Sequence, residues 1–280
     1  MQEHHYFVCG YTVSEASRLR AAAEEIEVYE SIDLMLDRLE KQKIIWLTLP
    51  AGEVTENIVQ ELMNQLSSDD IIIEAGNSYY KDSVRRAKAA KEKGIHYIDC
   101  GTSGGQSGAR TGPCLLVGGD QVVCQELEPF FKSIAYENGN LYCGNSGSGH
   151  YVKTVHNAIE YGMMEAIGEG FHLLEASDYP FDLAAIANVF NNGSVIRSWL
   201  IQLAHDALVE DSNLEQIRGI VGSTPDAKWA VQEAMDKGIS VPIIANSLFI
   251  RNDSQMEDIF SIKVVAALRN GFGGHGVVKK

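Results

Sequence analysis

The segment Tyr151-Val-Lys-Thr-Val-His-Asn-Ala-Ile-Glu-Tyr-Gly-Met-Met-Glu165 gathers a lysine, a histidine, an amide and a carboxylate in one short run. Lys153, His156, Asn157, Glu160, Tyr161 and Met164 follow the i, i+3/i+4, i+7 rule, so a helix sets them on one face. At about 1.5 Å per residue, Lys153 and Glu160 stand roughly 10 Å apart along the axis. A small polar substrate fits that gap, with Lys153 as candidate base and Glu160 as candidate acid. Val152, Val155, Ile159 and Met163 then form the opposite stripe, expected to face the core. The bland alternative is a solvated polar face, although such faces favour Lys, Glu and Gln over a His-Asn pair.

A second stretch, Asp99-Cys-Gly-Thr-Ser-Gly-Gly-Gln-Ser-Gly-Ala-Arg-Thr-Gly-Pro113, directly follows an apolar run. Ser103, Gly104 and Gly105 offer a hydroxyl and unobstructed backbone donors for an oxyanion or phosphate. A loop rich in glycine only for its turns is the alternative. Leu49-Pro50-Ala51-Gly52 and Gly76-Asn77 end two further runs. Ligands of open α/β sheets bind outside the carboxyl ends of the strands, so three such loops on one edge outweigh any single one. The third group is cationic: Arg197 in Asn-Gly-Ser-Val-Ile-Arg-Ser-Trp, and Arg269 with His275 in Leu-Arg-Asn-Gly-Phe-Gly-Gly-His. Arginine grips phosphate bidentately, although a lone surface arginine is usually just solvated.

These groups need elements to hold them. Up to about residue 143, short β-branched runs (His5–Tyr11, Lys43–Leu49, Asp70–Ala75, His96–Gly101, Pro113–Val117) alternate with amphipathic stretches (Ser14–Glu24, Ser31–Lys41, Glu53–Leu66, Lys81–Lys93, Gln121–Ser133). That alternation predicts a parallel, doubly wound α/β domain, covered on both faces. From His150 to about Ser177 one long helix is expected, and helical patterns continue to the end. The expected division is therefore 1–147, a Rossmann-like dinucleotide-binding domain, and 148–280, an all-helical domain. A domain of the first kind usually opens with strand, G-x-G-x-x-G and helix, and no such turn lies near the start. Gly144, Gly147 and Gly149 read as a hinge at the domain junction rather than as a phosphate cradle.

Composition bounds the partners. With 23 Lys+Arg against 38 Asp+Glu, the net charge of the 280 residues is −15. A nucleic-acid partner or an anionic membrane surface is excluded on that balance, and an anionic ligand needs specific arginines. No apolar run is long enough for a membrane span, and Met1 opens no signal peptide. The five cysteines are odd in number and lack a C-x-x-C pair. They read as buried thiols of a cytoplasmic protein, without a disulfide framework or metal site.

Gly-Asn-Ser-Tyr-Tyr-Lys-Asp-Ser at 76–83, Gly-Thr-Ser-Gly-Gly…Gly-Ala-Arg…Gly at 101–112, Lys-Thr-Val-His-Asn-Ala-Ile-Glu-Tyr-Gly at 153–162, Gly-Ser-Val-Ile-Arg-Ser at 193–198 and Arg-Asn-Gly-Phe-Gly-Gly-His at 269–275 occur in that order. Together they resemble the decarboxylating 6-phosphogluconate dehydrogenases, in their short bacterial form, from about Val8 to His275. The resemblance implies metal-free oxidative decarboxylation of 6-phosphogluconate to ribulose 5-phosphate, a step of the pentose phosphate pathway, with NAD or NADP as cofactor. It makes Lys153 the general base and Glu160 the general acid. Ser103, Gly104, Gly105, His156 and Asn157 hold the carboxylate and hydroxyls, while Tyr161, Arg197 and Arg269 hold the phosphate. Leu49, Pro50, Ala51 and Asn77 meet the cofactor, Asn77 also touching substrate. Arg269 and His275 reach a neighbouring subunit, implying a homodimer or homotetramer. On this alignment His5–Tyr11 is the family's second strand, and Thr12-Val13-Ser14 after it favours neither cofactor. The Gly222–Trp229 turn also departs from the family pattern. Two other functions stay open: a sugar-phosphate-binding remnant, and a β-hydroxyacid dehydrogenase for an unphosphorylated acid.

Overall fold

The computed structural model describes residues 1–40, 42–222, 224–273, 276 and 278. The chain divides into two compact units, Met1–Val155 and His156–Lys280. The first unit is α/β. Strands β1 (Cys9–Tyr11) and β2 (Glu27–Tyr29) flank helix α1 (Glu15–Ala23), and α2 (Ile32–Arg38) follows. Then come β3 (Ile44–Leu47), α3 (Glu53–Gln65), β4 (Ile71–Glu74), α4 (Tyr80–Glu92) and β5 (His96–Ser103). The unit ends with α5 (Gly105–Thr111), β6 (Cys114–Gly118), α6 (Gln121–Glu126), α7 (Glu128–Ile134) and β7 (Asn140–Gly144).

The α/β class is as expected, but the sheet differs from the sequence reading in three ways. First, two sheets form. The β1–β2 pair is a separate parallel ribbon, and the other five strands run in the order β3-β4-β5-β6-β7. In a doubly wound dinucleotide fold the first strand joins these two groups, and no described strand carries that ladder here. The ribbon still shares a core, because Cys9, Tyr11 and Tyr29 pack on the cluster around Ile45, Leu47, Val59 and Ile72. Second, β5 and β6 pair antiparallel, not parallel. Residues 104–113 are fewer than the dozen or so that a parallel crossover requires, so the chain must turn back. Third, β2, β7 and α5 were not read from the pattern, being short and only partly buried. The Gln121–Ser133 helix also splits in two, with Pro129 in the first turn of α7.

Strand β4 shows why the near-continuous apolar runs form central strands. All four of its residues are buried: Ile72 joins the cluster on one face, and Ile71 and Ile73 join Ile98, Cys100 and Leu115 on the other. Parallel pairing of β3 with β4 and β4 with β5 puts the loops after all three strands on one edge.

Helix α8 (Ser148–Glu175) starts in the first unit and ends in the second. The second unit continues with α9 (Leu183–Asn191), α10 (Trp199–Glu210), α11 (Pro225–Lys237), α12 (Pro242–Ser254) and α13 (Phe260–Gly273). Its compact cluster is small: Tyr161, Ala227 and Leu248, with Met164 and Val231 against them. Among the described residues, no helix is long and apolar enough to cross a membrane, and no group of three acidic, His or Cys side chains could hold a metal.

Candidate active site

Helix α8 is fixed at its start by packing, not by a flexible junction. A Cβ on Gly149 would lie 2.3 Å from the Leu116 carbonyl oxygen and 2.7 Å from that of Asp99. The helix therefore lies flush on the β5–β6 pair only because residue 149 is glycine. Buried Asp99 accepts the N–H groups of Gly147 (2.6 Å) and His150 (3.0 Å), answering the unsatisfied amides and positive dipole end of the helix. The hinge expected at Gly144–Gly149 is thus corrected to a close contact with a carboxylate cap. His150 is itself buried, its Nδ1 2.7 Å from the Ser83 hydroxyl on α4.

The same flush packing turns Lys153 inward at the start of α8, and farther along the helix Tyr161 is buried by the second unit's own cluster with Ala227 and Leu248. Lys153 is 4% exposed, Asn157 7% and Tyr161 5%, whereas Val152, Val155, Ile159 and Met163 are 38–53% exposed. The expected orientation is reversed, and the solvated polar face is excluded. The physical reason is shape: a Cβ on Gly101 would sit 2.4 Å from Lys153 Cβ, so β5 offers a recess that only this lysine's stem fills. Burial of this kind is what a lysine base requires. One turn on, His156 Nδ1 lies 3.0 Å from Asn157 Oδ1 and 3.9 Å from Glu160, whose side chain is 38% exposed. Lys153 and Glu160 thus differ in setting, one enclosed and one open to water.

The strand-end loops interlock. A Cβ on Gly76 would stand 2.6 Å from the Leu49 carbonyl oxygen, so the β3–α3 and β4–α4 loops touch through a glycine. Gly52 opens α3 at φ 95° with open space above it, and Asn77 is exposed in the β4–α4 loop. Gly104, at φ 117°, caps α5, and a side chain there would strike the Gly108 Cα at 2.9 Å. Leu49, Pro50, Ala51, Asn77, Ser103, Gly104 and Gly105 all lie on the carboxyl edge, partly or fully open. The backbone groups that the glycines leave bare and the Asn77 amide are the groups on this edge that could hold the nicotinamide end of a dinucleotide.

The second unit supplies a cluster that the sequence reading missed. Arg251 on α12 is 6% exposed, and its guanidinium carbon lies 3.4 Å from the Tyr161 ring centroid. Its Nη1 donates to the Gly222 carbonyl at 3.4 Å, and Glu165 stands 3.6 Å from its Nε. The Tyr161 hydroxyl accepts the Thr224 N–H at 3.0 Å and lies 2.7 Å from the Thr224 hydroxyl. The divergent Gly222–Trp229 turn is thereby brought to Tyr161. Arg251 was detectable as a cation at i+4 from Ser247 and i+3 from Leu248, on the buried side of an apolar helix. Arg197 and Arg269 are exposed and, among the described residues, make no hydrogen bond or ion pair with this cluster. His275 lies outside the described residues.

A dinucleotide-type sheet with open strand-end loops, followed by a long helix with a buried Lys-x-x-x-Asn face and an all-helical unit, is the architecture of a nicotinamide-linked dehydrogenase. Residues 1–144 match the model of the NAD binding domain of 6-phosphogluconate dehydrogenase, and 149–276 that of the 6-phosphogluconate dehydrogenase C-terminal domain. The chain belongs to the 6-phosphogluconate dehydrogenase family. It is 48% identical, over 98% of its length and 92% of the relative's, to the Bacillus subtilis protein named "Putative 6-phosphogluconate dehydrogenase YqeC". It is 42% identical to the NAD(+)-dependent, decarboxylating 6-phosphogluconate dehydrogenase of Haloferax volcanii, over 98% of this chain and 91% of that one. Among solved structures, Plasmodium falciparum 6-phosphogluconate dehydrogenase matches with a TM-score of 0.78 and 27% identity. That match covers 95% of this chain and 59% of the Plasmodium chain.

Proposed function

We propose that this chain oxidises 6-phosphogluconate at C3 with NAD or NADP and releases CO2, giving ribulose 5-phosphate. The observation that carries the reading is Lys153, enclosed against Gly101 on the helix face that also bears Asn157, Glu160 and Tyr161. In this reading 1–147 hold the dinucleotide and 148–280 complete the substrate site. Lys153 takes the proton from the C3 hydroxyl. A bound nicotinamide supplies the acceptor for the C3 hydride. The Lys153 ammonium then hydrogen-bonds the new C3 carbonyl, which draws the electron pair of the breaking C1–C2 bond and lets CO2 leave. Lys153 gives its proton to the C3 oxygen as the enediol forms. Glu160 then protonates C2 while Lys153 takes the C3 hydroxyl proton back, and exchange of one proton from Lys153 to Glu160 through solvent restores both groups.

Ser103, Gly104, Gly105, His156 and Asn157 orient the carboxylate and hydroxyls, and Asn77 meets both cofactor and substrate. Tyr161, Arg197 and Arg269 take the phosphate, joined by Arg251 beside Tyr161, and His275 is a further substrate contact, reaching with Arg269 into a neighbouring subunit. Tyr161 stands about 12 Å along the helix from Lys153, which suits the length of a six-carbon phosphorylated acid. We further propose that a second copy completes the site. The exposed stripe of α8 and the exposed Trp199, Ile243, Phe249 and Phe260 support a covered apolar face. The five free thiols fit a reducing, cytoplasmic compartment.

The test is an assay of 6-phosphogluconate with each dinucleotide, following reduced nicotinamide and CO2 together. Both products are expected in equal amounts from the wild type and neither from Lys153→Ala. Reduction without CO2, or full activity in Lys153→Ala, would overturn the reading.

A further inference from the structure

Beneath the strand-end loops lies a charged cluster that the mechanism above does not use. Arg86 on α4 and Glu74 at the end of β4 each have side chains only 1% exposed. Arg86 spreads its donors over three elements. Its Nε donates to Glu56 on α3 at 2.9 Å, its Nη1 to Glu74 at 3.2 Å, and its Nη2 to the Gly52 carbonyl at 3.5 Å. Glu74 also accepts from the Ser78 hydroxyl, in the β4–α4 loop, and from the Tyr97 hydroxyl on β5. Arg85 grips Glu56 bidentately at 2.8 and 2.7 Å and Asp82 at 3.2 Å, so two cations face three carboxylates in the cluster.

Burying such a pair costs several kcal/mol per ion, and an apolar replacement is often as stable, so stability alone explains little here. What the fork does specify is geometry. One guanidinium is tied to the loop after β3 through Gly52 and to the loop after β4 through Glu74 and Ser78. Those are the loops that meet at Gly76 and Leu49 and that carry Asn77.

We propose that Arg86 is a positioning residue that locks the β3–α3 and β4–α4 loops in the register that receives the nicotinamide half of the cofactor. The inference rests on the proposed dinucleotide site and assigns Arg86 no contact with cofactor or substrate. A lysine cannot replace it, because one ammonium cannot reach three acceptors in a planar fork.

Two variants of the full chain separate positioning from folding. The double variant Glu74→Gln/Arg86→Met removes the ion pair without stranding a charge, and the new amide accepts from one of the Ser78 and Tyr97 hydroxyls through its oxygen and donates to the other through its NH2. Its melting temperature should stay near that of the wild type, while calorimetric dissociation constants for NAD+ and NADP+ rise about tenfold or more. The constant for 6-phosphogluconate should change by less than about threefold, since Asn77 is its one proposed contact on these two loops and its phosphate ligands lie on other elements. Arg86→Lys should show the same split. Unchanged dinucleotide affinity in a folded Arg86→Lys overturns the proposal, and so does an equal loss for both ligands. A wild-type chain that binds 6-phosphogluconate but neither dinucleotide overturns the dinucleotide reading and this inference together.

Discussion

Gly101→Ala is the sharpest test of how Lys153, the proposed base, is held. The new Cβ would lie 2.4 Å from Lys153 Cβ, 3.1 Å from Lys153 Cγ and 2.9 Å from the Gly149 carbonyl oxygen. Ordinary contact begins at 3.4 Å, so the stem of Lys153 must retreat by 3.4 − 2.4 = 1.0 Å, or β5 must move away. The helix cannot absorb the shift by sliding toward β6, because Gly149 already stands flush on the Leu116 and Asp99 carbonyls. A displacement of about 1 Å at a reacting group costs roughly 100-fold in rate. That equals about 2.7 kcal/mol of transition-state stabilisation. Overpacking should also lower stability by about 1–3 kcal/mol. The measurements are kcat from reduced-nicotinamide formation, 6-phosphogluconate affinity by calorimetry, and thermal melting. The expected pattern is a folded enzyme with kcat down about 100-fold and substrate affinity down less than about tenfold. A folded variant with kcat within about threefold of wild type would refute the idea that Gly101 sets the position of Lys153.

Three further outcomes follow from particular contacts. The hydrogen bond from Arg85 first, with Arg86 and Gln60 adding and burial opposing, holds the Glu56 carboxyl down at about 2. Because the folded value lies below the unfolded one, the pair's stabilisation is complete above an ordinary carboxylate pKa of about 4.3 and fades as pH falls toward 2. The melting-temperature gap between wild type and Glu56→Gln should therefore be constant above that value and close on acidification; a gap independent of pH would contradict it. Burial raises the Cys100 thiol and pushes Cys124 up to about 12. Neither should be alkylated at neutral pH in the native protein, and both should react on unfolding, as read by peptide mass analysis. Arg251→Met should raise KM for 6-phosphogluconate about 10- to 100-fold with kcat nearly unchanged, the loss expected of one charge-assisted phosphate contact. An unaltered KM would remove Arg251 from the phosphate site.

Much of the candidate site was legible because its signals are local. Lys153, His156, Asn157, Glu160 and Tyr161 share a face through helical periodicity alone, and α8 is one helix from Ser148 to Glu175. The loops at Leu49–Gly52, Gly76–Asn77 and Ser103–Gly105 follow from strands alternating with helices. Arg251 was not legible as a site residue because its partners, Tyr161, Glu165 and Gly222, are distant in sequence. Arg86 and Glu74 looked like ordinary helix and strand-end charges for the same reason.

The sequence by itself determined the periodicities, the alternation of strand and helix, and a net charge of −15, which weighs against a nucleic-acid partner. Only the tertiary structure decided which side of α8 faces inward. Periodicity fixes angles around a helix axis, but the packed side depends on the surface that receives it. For Lys153 that surface is β5 and β6, where Gly101 and Gly149 remove the Cβ atoms that would hold α8 away, and for Tyr161 it is the second unit's cluster with Ala227 and Leu248. The polar face went in, Lys153 with it, and the apolar stripe was left outside.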